Sequence, residues 1–141
     1  KEMSFEEAEE FISENFIGAK NGNDKNSFLK IFSAFQNKKC LKIIAFLYQN
    51  KVINMLALYF DEKTIALLGT FNTKDSIKLS GSSVLIDYVI RENIEHKIFD
   101  FEGSEIPSVE EFFRGFRPDL KPYPIIKNSK KDLLKIVLQL R

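Results

Sequence analysis

The chain has 141 residues, of which 44% are apolar, and a chain of this length buries about two thirds of its unfolded surface as one ordinary globular domain. Its 21 basic and 20 acidic side chains leave a net charge of +1. No overall field would therefore attract duplex nucleic acid or an acidic membrane. The lone Cys40 excludes an internal disulfide framework and fits a reducing compartment.

No apolar run reaches the ~20 residues of a membrane span, and the N-terminal residues lack the basic and apolar regions of a signal peptide. We therefore expect a cytoplasmic protein without a membrane span. No cluster of Cys, His or acidic residues has the spacing of metal ligands, so we expect no metal site.

Apolar residues recur at helical spacing in the first forty residues. Ser4 and Glu7 fit a capping box that begins a helix over residues 5–16. Asp24 is a candidate N-cap for a second amphipathic helix that ends near Lys38.

Short apolar runs rich in β-branched and aromatic residues follow, separated by small polar turns. They predict consecutive antiparallel strands over residues 41–48, 52–60 and 64–70. The middle strand is apolar on both faces, so we expect it at the centre of the sheet. Residues 71–80 form a polar connection.

A helix from Gly81 to about His96 is apolar around most of its circumference, which predicts that it is deeply buried. Asp87, Arg91 and Glu95 form its polar stripe, with spacing for two ion pairs. Residues 98–101 are long enough only for a strand, and a connection through a helix makes that strand parallel to its neighbour. The sequence thus predicts an α+β fold in α/β/α layers, with a mixed, mainly antiparallel sheet flanked by helices.

After residue 104 the pattern predicts a short aromatic helix, an edge strand and a terminal helix. Ser108 and Glu111 fit a second capping box, with Pro107 just before it. The edge strand is predicted over residues 123–126 and the last helix over residues 132–140.

Two carboxylates lie where the predicted strand 98–101 leaves the core. Asp100 and Glu102 are two residues apart, so they share one face if the strand continues. Such carboxylates can hold an amine substrate or accept its proton. The alternative is structural: both side chains accept hydrogen bonds from the backbone or from Ser104 and shape the turn. Glu102 is the stronger functional candidate because it lies nearer the strand exit.

The order of elements is similar to the GNAT acyltransferase fold, and two motifs resemble Fem-type peptidyltransferases. The motifs are Phe-Asp-Phe-Glu-Gly-Ser at residues 99–104 and Phe-Phe-Arg-Gly-Phe at residues 112–116. The resemblance implies that residues 1–141 are one GNAT-like domain, the C-terminal half of a tandem protein with an upstream domain. The initial Lys1, in place of methionine, favours the same interpretation. Further implied substrate-binding residues are Ser104, Tyr123 and Asn72, with Tyr48, Tyr59 and Thr73 beside the cleft.

A GNAT domain holds the pyrophosphate of acyl-coenzyme A at the start of its central helix, where backbone N–H groups face the anion. The resemblance therefore implies an acyl-CoA (acetyl-CoA) site that consists of Lys78, Ser80, Gly81, Ser82 and Ser83. The alternative is that Ser80 simply caps the helix.

Two departures from the family patterns leave the function open. The position of the GNAT tyrosine, or the Fem-type lysine, is occupied by Phe113, and the expected glycine after Phe116 is Arg117. One hypothesis is an N-acyltransferase that moves an acyl or aminoacyl group from a thioester or ester donor to a small-molecule or peptide amine. The other is a noncatalytic binding or scaffold domain that retains the fold.

Overall fold

The computed structural model describes residues 1–17, 22–104 and 106–122. In this part, five strands form one sheet, and four α-helices and one 3₁₀-helix connect and flank them. The elements in chain order are β1 (Glu2–Met3), α1 (Phe5–Glu14), α2 (Gly22–Asn37), β2 (Leu41–Tyr48), β3 (Lys51–Phe60), β4 (Thr64–Asn72), the 3₁₀-helix (Lys74–Leu79), α3 (Gly81–Asn93), β5 (Ile98–Asp100) and α4 (Pro107–Arg114).

The strands lie in the order β1-β2-β3-β4-β5. Neighbouring strands from β1 to β4 are antiparallel, and β5 is parallel to β4. The central strand β3 is buried on both faces from Ile53 to Leu58. The α+β fold with a mixed, mainly antiparallel sheet is therefore confirmed, and so is the central position of the apolar strand.

The alternation of side chains along β3 divides the core into two layers. Met55 and Ala57 face a cluster with α1 and α2, whereas Leu56 and Leu58 face a cluster with α3 and α4. Full burial of an aliphatic or aromatic side chain contributes about 1.5–3 kcal/mol, so these two layers supply most of the stabilisation.

The first capping box is confirmed. Ser4 Oγ accepts a hydrogen bond from Glu7 N at 3.3 Å, and Glu7 Oε2 accepts one from Ser4 N at 2.9 Å. Helix α1 ends at Glu14, two residues earlier than predicted, and Phe16 beyond it packs its ring against that of Phe28 at 5.1 Å between centroids. Helix α2 begins at Gly22, so Asp24 lies in its first turn and is not the N-cap.

Two short elements lie outside the sequence prediction. Strand β1 has two residues, too few for an alternating pattern, and it forms only by pairing with β2. The polar connection after β4 contains the 3₁₀-helix, whose six residues have none that are buried. Neither element has an apolar periodicity from which it can be predicted.

Helix α3 is less buried than predicted. Leu85, Ile86 and Val89 face the sheet, but Val84 is 48% exposed and Tyr88 is 53% exposed. One packed layer covers only one face of a helix, so an apolar residue on the far side stays in contact with solvent. The ion pair of Asp87 with Arg91 is present at 2.7 Å, whereas Glu95 lies beyond the helix end.

The start of α4 also differs from the prediction. Pro107 is the first helical residue and Ile106 is the N-cap without a side-chain hydrogen bond, so Ser108 lies inside the helix and makes no capping box. The predicted strand 123–126 and helix 132–140 lie outside the described residues. In the part that the structure describes, no helix is long and apolar enough to cross a membrane.

Candidate functional site

Strands β4 and β5 diverge beside a cleft. They pair only between Thr64–Ala66 and Ile98–Asp100, after which β5 ends and β4 continues to Asn72. The cleft has a volume of about 590 Å³. Its lining comprises Phe16, Ile17, Asp24, Phe28, Leu67, Leu68, Gly69, Thr70, Phe71, Phe101, Glu102, Gly103, Ser108, Val109, Phe112 and Phe113.

A separate groove beside β2 has a volume of about 740 Å³. Both volumes lie in the range of small-molecule sites, about 300–1,000 Å³. The cleft between β4 and β5 is the candidate site for two reasons. It contains the carboxylate of Glu102, just after the end of β5, and the edge of β4 beyond the point where β5 ends.

A β-bulge in β4 forms one wall of the cleft. Ala57 pairs with Gly69 and Leu58 pairs with Leu67, so Leu68 is the extra residue on β4. A bulged residue is left out of the ladder, and bulges are frequent beside active sites. Sequence reasoning missed this feature, although Gly69 inside an apolar run is the signal that indicates a bulge.

The turn after β5 is held by side-chain hydrogen bonds. Asp100 Oδ1 accepts a hydrogen bond from Glu102 N at 2.8 Å, and Ser104 Oγ accepts one from Ile106 N at 3.1 Å. Glu102 has a φ of 59° and Gly103 a φ of 70°. Because the strand ends at Asp100 and Glu102 is left-handed, the two carboxylates do not continue one strand face, and that prediction is wrong.

The structure therefore separates the roles open to these residues. Glu102 lines the cleft, whereas Asp100 accepts a backbone hydrogen bond, as the structural alternative predicted for it. Ser104 accepts a backbone hydrogen bond from Ile106 N, a contact that was not predicted. The assignments of Glu102 and Asp100 as catalytic residues and of Ser104 as a substrate-binding residue stay predictions. Tyr123 lies outside the described residues.

The residues predicted to hold phosphate surround the start of α3. Ser80 occupies the N-cap position of α3, as the capping alternative predicted, but it is left-handed, with φ 54°, and its side chain makes no capping hydrogen bond. Lys78 and Ser80 are exposed, whereas Gly81 is buried. A Cβ on Gly81 would lie 2.8 Å from Asn54 Cβ, so the glycine allows α3 to pack closely on β3.

Asn54 is the only buried polar residue in the described part of the chain, with 1% of its surface exposed. Its Nδ2 lies 3.0 Å from Phe71 O, 2.8 Å from Asn72 Oδ1 and 3.0 Å from Ser82 Oγ, and its Oδ1 has no partner. Ser82 Oγ also donates to Asn72 Oδ1 at 3.1 Å. Asn72, a predicted substrate-binding residue, thus joins the end of β4 to the start of α3.

Sequence reasoning missed Asn54, although a single asparagine in the apolar run of β3 was visible. The other tyrosines proposed for the cleft do not line it. Tyr48 is exposed at the end of β2, and Tyr59 stacks on Phe35 with 5.5 Å between ring centroids. Thr73 begins the 3₁₀-helix and its hydroxyl faces Ile53 O at 3.5 Å.

Tyr59 lies near the end of β3, beside the polar turn at the other end of the sheet. The nearby charge of Asp61 raises the pKa of Tyr59. Hydrogen bonds from Lys63 N and Thr64 N to Asp61 Oδ1, at 2.8 and 2.7 Å, lower the pKa of Asp61. Among residues 1–17, 22–104 and 106–122, no group of three or more His, Cys, Asp or Glu side chains is arranged to hold a metal ion.

Solved structures share this fold at low sequence identity. A transcriptional regulator from Bacillus halodurans has a TM-score of 0.65 at 13% identity, over 92% of this chain and 99% of that chain. A predicted acetyltransferase with acetyl-CoA from Clostridium acetobutylicum has a TM-score of 0.60 at 11% identity, over 96% of both chains. A ribosomal-protein-alanine N-acetyltransferase from Brucella melitensis has a TM-score of 0.54 at 9% identity, over 92% and 97%.

These likenesses confirm the GNAT-like fold and, at such identities, establish the fold alone. They do not bear on the closer resemblance to Fem-type proteins, which stays a prediction. No family model matches the sequence, and no curated protein matches it.

Proposed function

We propose that this chain is an N-acyltransferase domain that moves an acyl group from a thioester donor, an acyl-coenzyme A, to an amine. The observation that carries the proposal is the cleft between the diverging strands β4 and β5, with Glu102 at its edge. The likeness of the fold to an acetyltransferase with acetyl-CoA supports it.

The edge of β4 offers a binding surface for an extended donor. Beyond Ala66, β4 has no partner strand on its β5 side among the described residues. Free backbone N–H and C=O groups on a strand edge bind an extended chain that carries amide groups. The pantetheine arm of coenzyme A is such a chain.

The transfer needs an electrophile, a nucleophile and a place for each proton. The amine nitrogen attacks the thioester carbonyl carbon, the C–N bond forms, and the C–S bond then breaks to release the thiolate. A backbone N–H at the Leu68 bulge is suited to stabilise the negative oxygen of the intermediate. Glu102 is suited to bind the ammonium group and to accept its first proton, and the leaving thiolate takes the second.

The start of α3 is the proposed place for the donor's phosphate groups. A helix N-terminus favours anions, and exposed Lys78 adds positive charge nearby. Ser82 is engaged with Asn54 and Asn72. Ser80, Ser83 and the first backbone N–H groups of α3 are therefore the better proposed contacts, while Gly81 serves the packing of the helix.

A second candidate function is a noncatalytic binding domain. The observation that favours it is Phe113, which lines the cleft where the resemblance implies a proton donor. A phenyl ring has no proton to give to a leaving thiolate. The motifs at residues 99–104 and 112–116 support a variant of the N-acyltransferase proposal, in which the domain is the C-terminal half of a Fem-type tandem protein and the donor is an aminoacyl ester.

Calorimetric titration with coenzyme A and acetyl-CoA, followed by an acyl-transfer assay with a panel of amines, tests the proposal. Binding of coenzyme A together with transfer supports the N-acyltransferase. Binding without transfer to any amine supports the noncatalytic domain. No heat at millimolar coenzyme A contradicts the thioester donor and directs the assay to aminoacyl esters.

A further inference from the structure

Phenylalanine side chains form two walls of the cleft. On one side, the ring of Phe16 lies 5.1 Å from that of Phe28 and 5.9 Å from that of Phe71, measured between centroids. On the other side, the ring of Phe113 lies 4.9 Å from that of Phe101 and 5.9 Å from that of Phe112. A ligand between these walls contacts mainly apolar surface.

The charged groups of the cleft are acidic. Asp24 and Glu102 line it, and the described lining residues include no lysine, arginine or histidine. The exposed carboxylate of Glu102 offers a partner for a cation, and aromatic ring faces add to the attraction of an ammonium group.

We propose, on the basis of the acyltransferase function, that the acceptor is a primary amine joined by a short linker to an aromatic or large aliphatic group. The apolar group packs between the phenylalanine walls, and the ammonium group lies at Glu102. In the transfer, the ammonium group loses one proton to Glu102, its nitrogen bonds to the acyl carbon, the C–S bond breaks, and the leaving thiolate of coenzyme A takes the second proton. Two sources supply this chemistry: a free arylalkylamine, or the N-terminus of a peptide with an apolar first residue.

The test compares kcat/KM for primary amines that carry an apolar or a polar group. The free arm pairs phenylethylamine with ethanolamine and spermidine, and the peptide arm pairs peptides that begin with phenylalanine and with serine. In whichever arm shows acyl transfer, we expect kcat/KM to be at least tenfold higher for the apolar amine, since apolar contacts discriminate by about 10–200-fold. A kcat/KM for the polar amines that equals or exceeds that for the apolar amines overturns the inference.

Binding without a donor separates this inference from the proposed function. Saturation-transfer NMR with phenylethylamine and ethanolamine detects amine binding even if no acyl transfer occurs. Preferential binding of phenylethylamine without transfer supports the inference and contradicts the proposed function. Binding of neither amine, in a protein that binds coenzyme A, overturns the inference alone.

A charge variant at an exposed position of the cleft tests the electrostatic part of the inference. Ile17 lines the cleft and is 75% exposed, so Ile17→Lys adds a positive charge there without filling the core. We expect it to weaken phenylethylamine binding by about tenfold through repulsion of like charges. The matched control is Ile94→Lys, at a site that is 67% exposed and outside the cleft. Equal affinities for the two variants overturn the inference.

Discussion

Gly81 and Asn54 are in such close contact that a Cβ on Gly81 would lie 2.8 Å from Asn54 Cβ. The glycine therefore fixes the distance between α3 and the central strand. The same contact places Ser82 within hydrogen-bond distance of Asn54 and Asn72. The start of α3 is thus positioned by packing and by a buried polar network, whichever ligand it binds.

Gly81→Ala should destabilise the protein by about 1–3 kcal/mol, the usual cost of forcing an extra methyl group into a well-packed site. Denaturant unfolding measures the change. Ser83→Ala, two residues later in the same helix, is the matched control and should change stability by less than about 0.5 kcal/mol. A Gly81→Ala variant as stable as the wild type would show that α3 can move away from β3 at little cost.

The ionised form of Asp61 should stabilise the turn between β3 and β4. Its pKa is lowered by the hydrogen bonds from Lys63 N and Thr64 N, so its contribution is fully present above the pKa of the unfolded chain. The contribution is lost as the pH falls through the folded-state pKa. The difference in unfolding free energy between the wild type and Asp61→Asn should therefore be constant near neutral pH and shrink in acid.

A difference that does not change with pH would contradict this assignment. Tyr59 supplies an independent readout, since the charge of Asp61 is the main cause of its raised pKa. Asp61→Asn should lower the pKa of Tyr59, measured by ultraviolet absorbance of the tyrosinate. Tyr48, which is exposed at the end of β2, is the internal control.

The fold could be predicted from local patterns because each of its larger elements carries one. The three antiparallel strands have alternating or continuous apolar runs, and the Ser4 capping box marks the start of α1. Burial of α3 was overestimated because composition counts its apolar residues without showing which face packs on the sheet; among the described residues, Val84 and Tyr88 on the other face stay exposed. The two-residue β1 depends wholly on its pairing with β2.

The site was less predictable because it depends on where strands part. Glu102 was identified from its place at the end of an apolar strand, but its left-handed backbone and the role of Asp100 in the turn are tertiary details. The Leu68 bulge and the Asn54 network were missed. Gly69 and a lone polar residue within β3 were visible in the sequence. They indicate a bulge and a buried polar network only when the register of the strand pairing is known.

Glu102→Gln should keep the fold and lower the acyl-transfer rate by about 10²-fold, because glutamine retains the shape of the side chain but cannot accept the proton. The side chain of Glu102 is exposed, so stability should change little. Steady-state kinetics and thermal melts measure the two effects. Unchanged turnover in a protein that transfers acyl groups would remove Glu102 from the site.

Asp100→Ala is the structural counterpart of that variant. It removes the acceptor for Glu102 N, a hydrogen bond of 2.8 Å, and should cost about 0.5–1.5 kcal/mol. Asp100→Asn keeps an oxygen acceptor and should restore most of that stability. If Asp100→Asn instead loses activity at full stability, Asp100 takes part in the chemistry.

Phe113→Tyr should raise the acyl-transfer rate by about tenfold or more if protonation of the thiolate limits turnover, since a positioned general acid contributes about 10²–10⁴-fold. Phe113 lines the cleft and packs against Phe101, so an added hydroxyl group at its ring edge is placed beside the proposed donor.

Phe116→Tyr is the matched control, because Phe116 packs on the same Phe101 ring at 5.5 Å but does not line the cleft. The measurement is kcat for acetyl-CoA with a saturating amine, beside calorimetric affinity for coenzyme A. A faster Phe113→Tyr enzyme with unchanged donor affinity and an unaffected Phe116→Tyr control would place the leaving thiolate next to Phe113. Equal rates for both variants and the wild type, with the donor bound, would show that the thiolate leaves elsewhere in the cleft or that its protonation does not limit the reaction.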